Sequence, residues 1–123
     1  MREFDLEMLA VAQDMANASL EEDRKAGCVV VCSLGSMVSR SCNVQGKYAY
    51  EVAMGVLSPS QLKGATLYMT HEPSRRDGMR IAEAGIKRVV WQKPFDRIGS
   101  DVLRAFGVEV VSYEYCKRIG DRK

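Results

Sequence analysis

The sequence has little of what several functional classes require. It contains one histidine, a net charge of only +2 and no long apolar run. A nearly neutral chain has no overall electrostatic footprint for nucleic acid or a membrane surface. Without a run of about 18 apolar residues there is no transmembrane helix, and the start, MREFDLEM, lacks the apolar core of a signal peptide. We therefore expect a cytoplasmic protein with no membrane or nucleic-acid partner.

Cysteine is also sparse, at four residues including Cys42 and Cys116. Cys28 and Cys32 flank the apolar run GCVVVC, and a strand would point both thiols to one face because they lie four residues apart. A zinc site there has no partner histidine nearby, since His71 is the only one. We expect small, buried, reduced thiols instead.

The pattern of apolar residues and turn signals predicts a single domain over residues 1–123. Helices are predicted over residues 4–20, 49–57, 73–84 and 98–106, and strands over residues 28–34, 37–43, 65–70, 86–91 and 108–112. The first helix has an apolar stripe that includes Phe4, Met8 and Met15, the segment Ser58-Pro59-Ser60 ends the second helix, and Pro73 fits the first turn of the third. The polar end KRIGDRK is expected to fray.

This order of elements predicts an α/β fold. Strands that alternate with helices indicate a five-stranded mixed sheet with helices on both faces, in three α/β/α layers. The sheet is expected to be parallel over its later part. The early pair of strands, joined by a tight turn at residues 34–36, is expected to form an antiparallel edge.

Two local sequences carry a resemblance to a known family. GATLYMTHEP followed by EAGIKRVVW resembles a strand, the start of the zinc helix and the next strand in the deoxycytidylate branch of the cytidine and deoxycytidylate deaminase superfamily. GCVVVCSLGSMVSRSCN resembles the first hairpin of the same branch. The resemblance covers roughly residues 5–112 and implies the cytidine-deaminase-like fold.

The family's chemistry needs a His-x-Glu motif and a Pro-Cys-x-x-Cys motif. Their three ligands hold a zinc ion that activates water, and the Glu transfers protons. By resemblance, Glu51 falls on the proton-transferring Glu, and the ligand positions fall on Ala49, Ser74 and Asp77. Alanine has no donor atom, serine is a poor zinc ligand, and a single aspartate does not hold zinc tightly. The resemblance therefore implies that zinc is absent and that no cofactor is bound.

Further positions near this site have two interpretations each. Asn43 falls on the family's sugar-contacting Asn, or it closes a strand end. Arg75 and Arg76 form an anion site with the first-turn N–H groups, or they are a solvated face. Tyr48 and Tyr50 stack on a base, or they fill the volume that a metal and its water would occupy. A shift of the alignment by one or two residues places a tyrosine at the first ligand position and supplies no histidine.

Structural interpretations stand beside the functional ones. Glu51, Ser74 and Asp77 all suit the first turn of a helix, and His71 is expected to be a structural turn residue. Glu51, His71, Glu72 and Asp77 are also the members of a conceivable rebuilt metal site, whose oxygen ligands would favour magnesium or manganese over zinc.

Our leading hypothesis is a catalytically inactive, zinc-less deaminase-like protein. It would bind a nucleotide, or act as a subunit of a homo-oligomer or of a hetero-oligomer with a related deaminase, because such proteins commonly assemble. The candidate binding residues are Asn43, Tyr48, Ser74, Arg75, Arg76 and Asp77. The alternative is an enzyme with zinc-independent chemistry on a nucleotide, or with residual deoxycytidylate deaminase activity, that uses Glu51 or Asp77 with His71 as acid–base groups.

Overall fold

The computed structural model describes residues 2–21 and 25–113, which form helices and strands in alternation. The helices are α1 (Glu3–Asn17), α2 (Ala49–Gly55), α3 (Pro59–Leu62), α4 (Arg75–Glu83) and α5 (Ile98–Ala105). The strands are β1 (Gly27–Val31), β2 (Met37–Cys42), β3 (Thr66–His71), β4 (Arg88–Lys93) and β5 (Glu109–Ser112). None of the helices within this part of the chain has the length and apolar character that crossing a membrane needs.

The strands form one mixed sheet in the order β2-β1-β3-β4-β5. Strand β1 is antiparallel to both β2 and β3, whereas β3, β4 and β5 run parallel. This arrangement confirms the predicted five-stranded mixed sheet, with its antiparallel hairpin at one edge and its parallel part at the other.

Helices cover both faces of the sheet, so the predicted three layers are present. Alternate residues of the buried strand β1 point to opposite faces, as a strand requires. Cys28 and Val30 belong to the core that packs under α2, α4 and α5. Val29 and Val31 belong to the core that packs under α1. Strand β1 therefore carries no charged or strongly polar side chain, because neither of its faces meets water.

The buried face of α1 differs from the predicted stripe. Its buried residues are Asp5, Leu9, Ala12 and Ala16, while the predicted residue Phe4 is 41% exposed. Helix α1 is therefore rotated about its axis relative to the prediction, because its buried face includes the Asp5 carboxylate. A prediction from apolar residues alone assigns every charged side chain to the solvent.

The Asp5 carboxylate is buried because it has a full set of donors. Arg88 donates to both oxygens at 2.7 and 2.9 Å, and the Tyr68 hydroxyl donates at 2.6 Å. Burial alone would raise the pKa of the Asp5 carboxyl, but the hydrogen bonds from Arg88, Tyr68 and the Arg2 N–H together hold that pKa well below its usual range. This cluster joins α1 to strands β3 and β4.

The prediction of buried thiols at Cys28 and Cys32 is correct for Cys28 and wrong for Cys32. Strand β1 ends before Cys32, because the Cys32 N–H donates to the Ser36 carbonyl in a turn. Cys32 and Cys42 are therefore half-buried. Burial raises the pKa of the Cys28 thiol to about 12. Cys116 and the tail KRIGDRK lie outside the described residues.

Two helix boundaries also differ from the prediction. Ser58 and Pro59 do not only end α2; they begin the short helix α3, where Pro59 occupies the first turn and the Ser58 hydroxyl accepts from the Gln61 N–H. Pro73 precedes α4 rather than lying in its first turn, because Ser74 is the N-cap residue of α4. In both places a capping serine sets the start of the helix.

The first turns of α4 and α5 are in direct backbone contact through two glycines. A Cβ atom added to Gly99 would lie 1.9 Å from the Pro73 carbonyl oxygen, and one added to Gly78 would lie 2.8 Å from the Gly99 carbonyl oxygen. No larger residue fits at this contact without movement of backbone. The start of α4 is thereby fixed against α5.

Candidate functional site

A cleft of about 920 Å³ opens where the N-termini of α2 and α4 meet the end of β3. The residues from the sequence analysis that line it are Asn43, Tyr48, Ala49, Ser74 and Asp77. The chain brings them together because β2 ends just before Asn43, while α2 and α4 both begin at this side of the sheet. Tyr50, His71 and Glu72 line the same cleft.

At the bottom of the cleft, a hydrogen bond joins the first turns of α2 and α4. The Tyr50 hydroxyl donates to Oδ1 of Asp77 at 2.5 Å, and the Tyr50 side chain is buried. Burial, followed by the hydrogen bond to Asp77 and the charge of that carboxylate, raises the pKa of Tyr50 well above its usual range. The Tyr48 ring lies parallel to the Tyr50 ring with centroids 6.2 Å apart. Tyr50 therefore fills the junction between the tips of α2 and α4, which is where the resemblance implies the metal position.

The donor atoms at this junction do not fit a zinc ion. Ala49 offers no ligand atom, the Ser74 hydroxyl accepts from the Asp77 N–H at 3.3 Å, and one Asp77 oxygen is engaged by Tyr50. Across residues 2–21 and 25–113, no group of three or more His, Cys, Asp or Glu side chains is placed to hold a metal ion. The conceivable rebuilt site of oxygen ligands is therefore not assembled either.

Glu51 does not line the cleft. Its Oε1 accepts from the Tyr48 N–H at 3.3 Å, and its Oε2 lies 3.5 Å from the Arg80 guanidinium on the outer side of α4. The side chain completes the first turn of α2, which is the structural interpretation of this residue. Successive residues of a helix point about 100° apart, so Tyr50 faces inward where the resemblance alone would place Glu51.

Arg75 and Arg76 also lie apart from the cleft. They line a separate groove on α4 together with Met79, Arg80 and Glu83. Both arginines are exposed, so the structure separates them from Asn43, Tyr48, Ser74 and Asp77.

Glu72 is a buried carboxylate whose role in the loop after β4 could not be predicted from the resemblance. Its Oε1 accepts from the Phe95 N–H at 2.8 Å and from the Arg97 N–H at 3.2 Å, and its Oε2 accepts from the Ser100 hydroxyl. Arg97 has a left-handed backbone with φ 70°. Glu72 thus holds the loop after β4 in the shape that brings Phe95 to the cleft. The available signal was an acidic residue directly after an apolar strand.

His71 ends strand β3, and its Nδ1 lies 2.9 Å from the Thr70 hydroxyl oxygen. Partial burial, and then the charge of Lys93, lower the pKa of His71 below its usual value. The imidazole at the cleft is therefore neutral at physiological pH, and its contact with Thr70 agrees with a structural role in the turn.

Asn43 closes the strand end, as one of its two interpretations predicts, and it also lines the cleft. Its Oδ1 accepts from the Ala26 N–H at 2.8 Å, which closes the strand end. Its Nδ2 has no hydrogen-bond partner among the residues that the structure describes, and the side chain lines the cleft. The oxygen thus orients the amide, and the nitrogen remains a donor for a ligand. Lys25 and Lys47 add positive charge to the lining of the same cleft.

No family model and no curated protein sequence matches the chain. Among solved structures, the chain is similar to the dCMP deaminase of the cyanophage S-TIM5, with a TM-score of 0.79 and 28% identity over 91% of this chain and 98% of the phage protein. The phage protein in complex with dCMP and dUMP gives a TM-score of 0.78 and 26% identity, with the same shares of both chains covered.

A more distant likeness, to RibD of Acinetobacter baumannii, has a TM-score of 0.79 and 22% identity, and it covers 88% of this chain but 34% of that protein. This likeness concerns the fold alone. The phage protein, in contrast, matches over 98% of its own length and 91% of this chain. From this correspondence we conclude that the chain belongs to the cytidine and deoxycytidylate deaminase superfamily.

Proposed function

We propose that this protein binds a pyrimidine nucleotide in the cleft without zinc and does not deaminate it. The observation that carries the proposal is the hydrogen bond between the Tyr50 hydroxyl and Asp77, at 2.5 Å, where the family's ligand positions converge. Activation of water by zinc requires three good protein ligands and an open coordination position. Here Tyr50 fills the position, and Ala49 and Ser74 supply no zinc ligand in place of histidine and cysteine.

The features needed for binding are retained although the metal ligands are not. The cleft volume, about 920 Å³, lies within the range of about 300–1,000 Å³ that small-molecule sites occupy. Tyr48 is 52% exposed at its edge and offers a ring on which a base can stack. The Asn43 amide nitrogen suits a sugar hydroxyl, and Lys25 and Lys47 suit a phosphate. The phage neighbour in complex with dCMP and dUMP supports this ligand class.

Three measurements on purified full-length protein test the proposal. Elemental analysis should find less than about one zinc per ten chains, because a site that lacks good ligands does not retain the metal. Ultraviolet absorbance should show no conversion of dCMP. The melting temperature should rise with dCMP concentration, because a ligand that binds only the folded state stabilises that state. Stoichiometric zinc together with deamination would overturn the proposal.

A pair of variants locates the binding. Tyr48→Ala should weaken dCMP binding by about tenfold, since stacking of a base on an aromatic ring contributes about 1–3 kcal/mol. The matched control is Phe106→Ala, which removes another exposed ring at the far end of α5. Equal affinities for both variants would exclude Tyr48 as the stacking residue.

Two other roles are separated by the same experiments. If no pyrimidine nucleotide raises the melting temperature, a role in assembly with itself or with a related deaminase is favoured, and its size in solution becomes the next measurement. If dCMP is consumed without zinc, His71 and Asp77 are the titratable pair in the cleft for acid–base chemistry. Glu51 is a weaker choice because its carboxylate contacts Arg80 instead.

A further inference from the structure

We propose that Asp77 and Ser74 select the base of the ligand, and that they favour the amino-substituted edge of cytosine over the oxygen-substituted edge of uracil. This inference rests on the proposed binding of nucleotides in the cleft. It assigns to the two former ligand positions a function in recognition, carried by hydrogen-bonding groups rather than by a metal.

The two side chains present an acceptor beside a donor. Both line the cleft from the first turn of α4. One Asp77 oxygen, Oδ1, is taken by Tyr50, and the other, Oδ2, has no partner among the described residues. The Ser74 oxygen accepts from the Asp77 N–H at 3.3 Å, and its hydroxyl proton has no acceptor within the same part of the chain. Asp77 can therefore only accept from a ligand, whereas the Ser74 hydroxyl is able to donate to it.

Tyr50 strengthens this polarity. Because its hydroxyl proton points to Asp77, the phenol oxygen can only accept further hydrogen bonds, and the Arg80 side chain already interacts with it. The floor of the cleft thus presents the Asp77 carboxylate as the acceptor for a ligand, next to the hydroxyl of Ser74. The negative charge at this position is that of Asp77.

The edge of cytosine complements this arrangement, and the edge of uracil opposes it. Cytosine presents an amino group that donates and a ring nitrogen, N3, that accepts. Uracil presents a carbonyl oxygen where cytosine has the amino group, and an N3–H where cytosine has the bare nitrogen. With uracil, the Asp77 carboxylate faces a carbonyl oxygen and the donors and acceptors are reversed. A site built around hydrogen bonds rejects an analogue that leaves its polar groups unpaired.

The test compares dissociation constants for dCMP and dUMP by titration calorimetry. The native protein should bind dCMP at least about tenfold more tightly, a modest value for a site that reads polar groups. Asp77→Asn replaces one acceptor by an amide that can donate to a carbonyl oxygen, so the preference for dCMP should fall by about tenfold. Asp14→Asn, on the exposed side of α1, makes the same chemical change far from the cleft and should keep the native ratio.

A third nucleotide distinguishes attraction of Asp77 for the amino group of cytosine from repulsion between Asp77 and the carbonyl oxygen of uracil. The deoxynucleotide of 2-pyrimidinone has no substituent at the position of the amino group and should bind with intermediate affinity. If neither dCMP nor dUMP binds, the proposed function itself fails. If both bind with equal affinity, nucleotide binding stands and this inference is refuted. If Asp77→Asn does not fold, Tyr50→Phe is the substitute variant. It removes the hydroxyl that engages Asp77 Oδ1, so both carboxylate oxygens become free and the preference for dCMP should remain. Loss of the preference in this variant would refute the inference.

Discussion

Asp5→Asn tests the contact that fixes α1 to the sheet. The substitution keeps the size of the side chain, removes its charge and places an amide nitrogen among donors. In the native protein the carboxylate accepts two hydrogen bonds from Arg88 and one from Tyr68. After the substitution at least one of these donors faces another donor. Among the described residues, the carboxylate that then remains for Arg88 is Glu109, whose side chain is 62% exposed and lies 3.4 Å from the guanidinium.

The expected loss is large because both partners are withdrawn from water. The side chains of Arg88 and Asp5 are 15% and 3% exposed. Removal of one member of a buried ion pair costs about 3–5 kcal/mol, because the other charge is left without its partner. The exposed Glu109 compensates little, since exposed ion pairs contribute about 0–1 kcal/mol. We therefore expect the free energy of unfolding to fall by about 3 kcal/mol, and the melting temperature to fall by about 10 °C.

The effect should depend on pH in a defined direction. The folded-state pKa of Asp5 lies below its unfolded value, so its stabilisation is present above the unfolded pKa of about 3.9. The stabilisation is lost as the pH falls from there through the folded pKa. The difference in stability between native protein and Asp5→Asn should be constant near neutral pH and should shrink below about pH 4.

Urea unfolding followed by far-ultraviolet circular dichroism measures both effects. Asp14→Asn is the matched control, because Asp14 is exposed on the same helix, and surface substitutions change stability by about 0.5 kcal/mol or less. A double-mutant cycle with Arg88→Met should give a coupling of at least about 1 kcal/mol. The reasoning is wrong if Asp5→Asn is as stable as Asp14→Asn, or if the difference between native protein and Asp5→Asn grows in acid.

Two further substitutions test the support of the cleft. Gly99→Ala should destabilise the protein by about 1–3 kcal/mol or more, because its Cβ would meet the Pro73 carbonyl oxygen at 1.9 Å. The control Gly55→Ala, whose Cβ meets nothing within 4 Å, should not destabilise it. Equal chemical-denaturation midpoints for the two variants would show that the contact between α4 and α5 is not as tight as described. Glu72→Gln should lower the free energy of unfolding by about 1–3 kcal/mol, because an amide cannot accept all three hydrogen bonds that order the loop containing Phe95. A native-like denaturation midpoint together with unchanged dCMP affinity would refute this role of Glu72.

The strands and the early hairpin could be predicted because their signals are local. The apolar run of β1 and the turn at residues 34–36 predict the buried strand and its hairpin. The burial of Asp5 could not be predicted in this way, because its partner Arg88 is 83 positions away along the chain. A charge becomes compatible with the interior only when such a distant partner is in place.

The position of the candidate site could be predicted, but the direction of its side chains could not. The resemblance placed Ala49, Ser74 and Asp77 at the junction of two helices, and all three line the cleft. Whether Tyr50 or Glu51 faces inward depends on the rotation of α2 about its axis. That rotation is set by packing of the buried Tyr50 and by the contact of Glu51 with Arg80, neither of which is visible in the motif.

The glycine contact between α4 and α5 leaves no free space between the starts of the two helices. Asp77 directly precedes Gly78, which meets the Gly99 backbone, so a substitution at Gly99 is expected to displace Asp77 as well. The shape of the cleft therefore depends on a residue of α5 that does not itself line it.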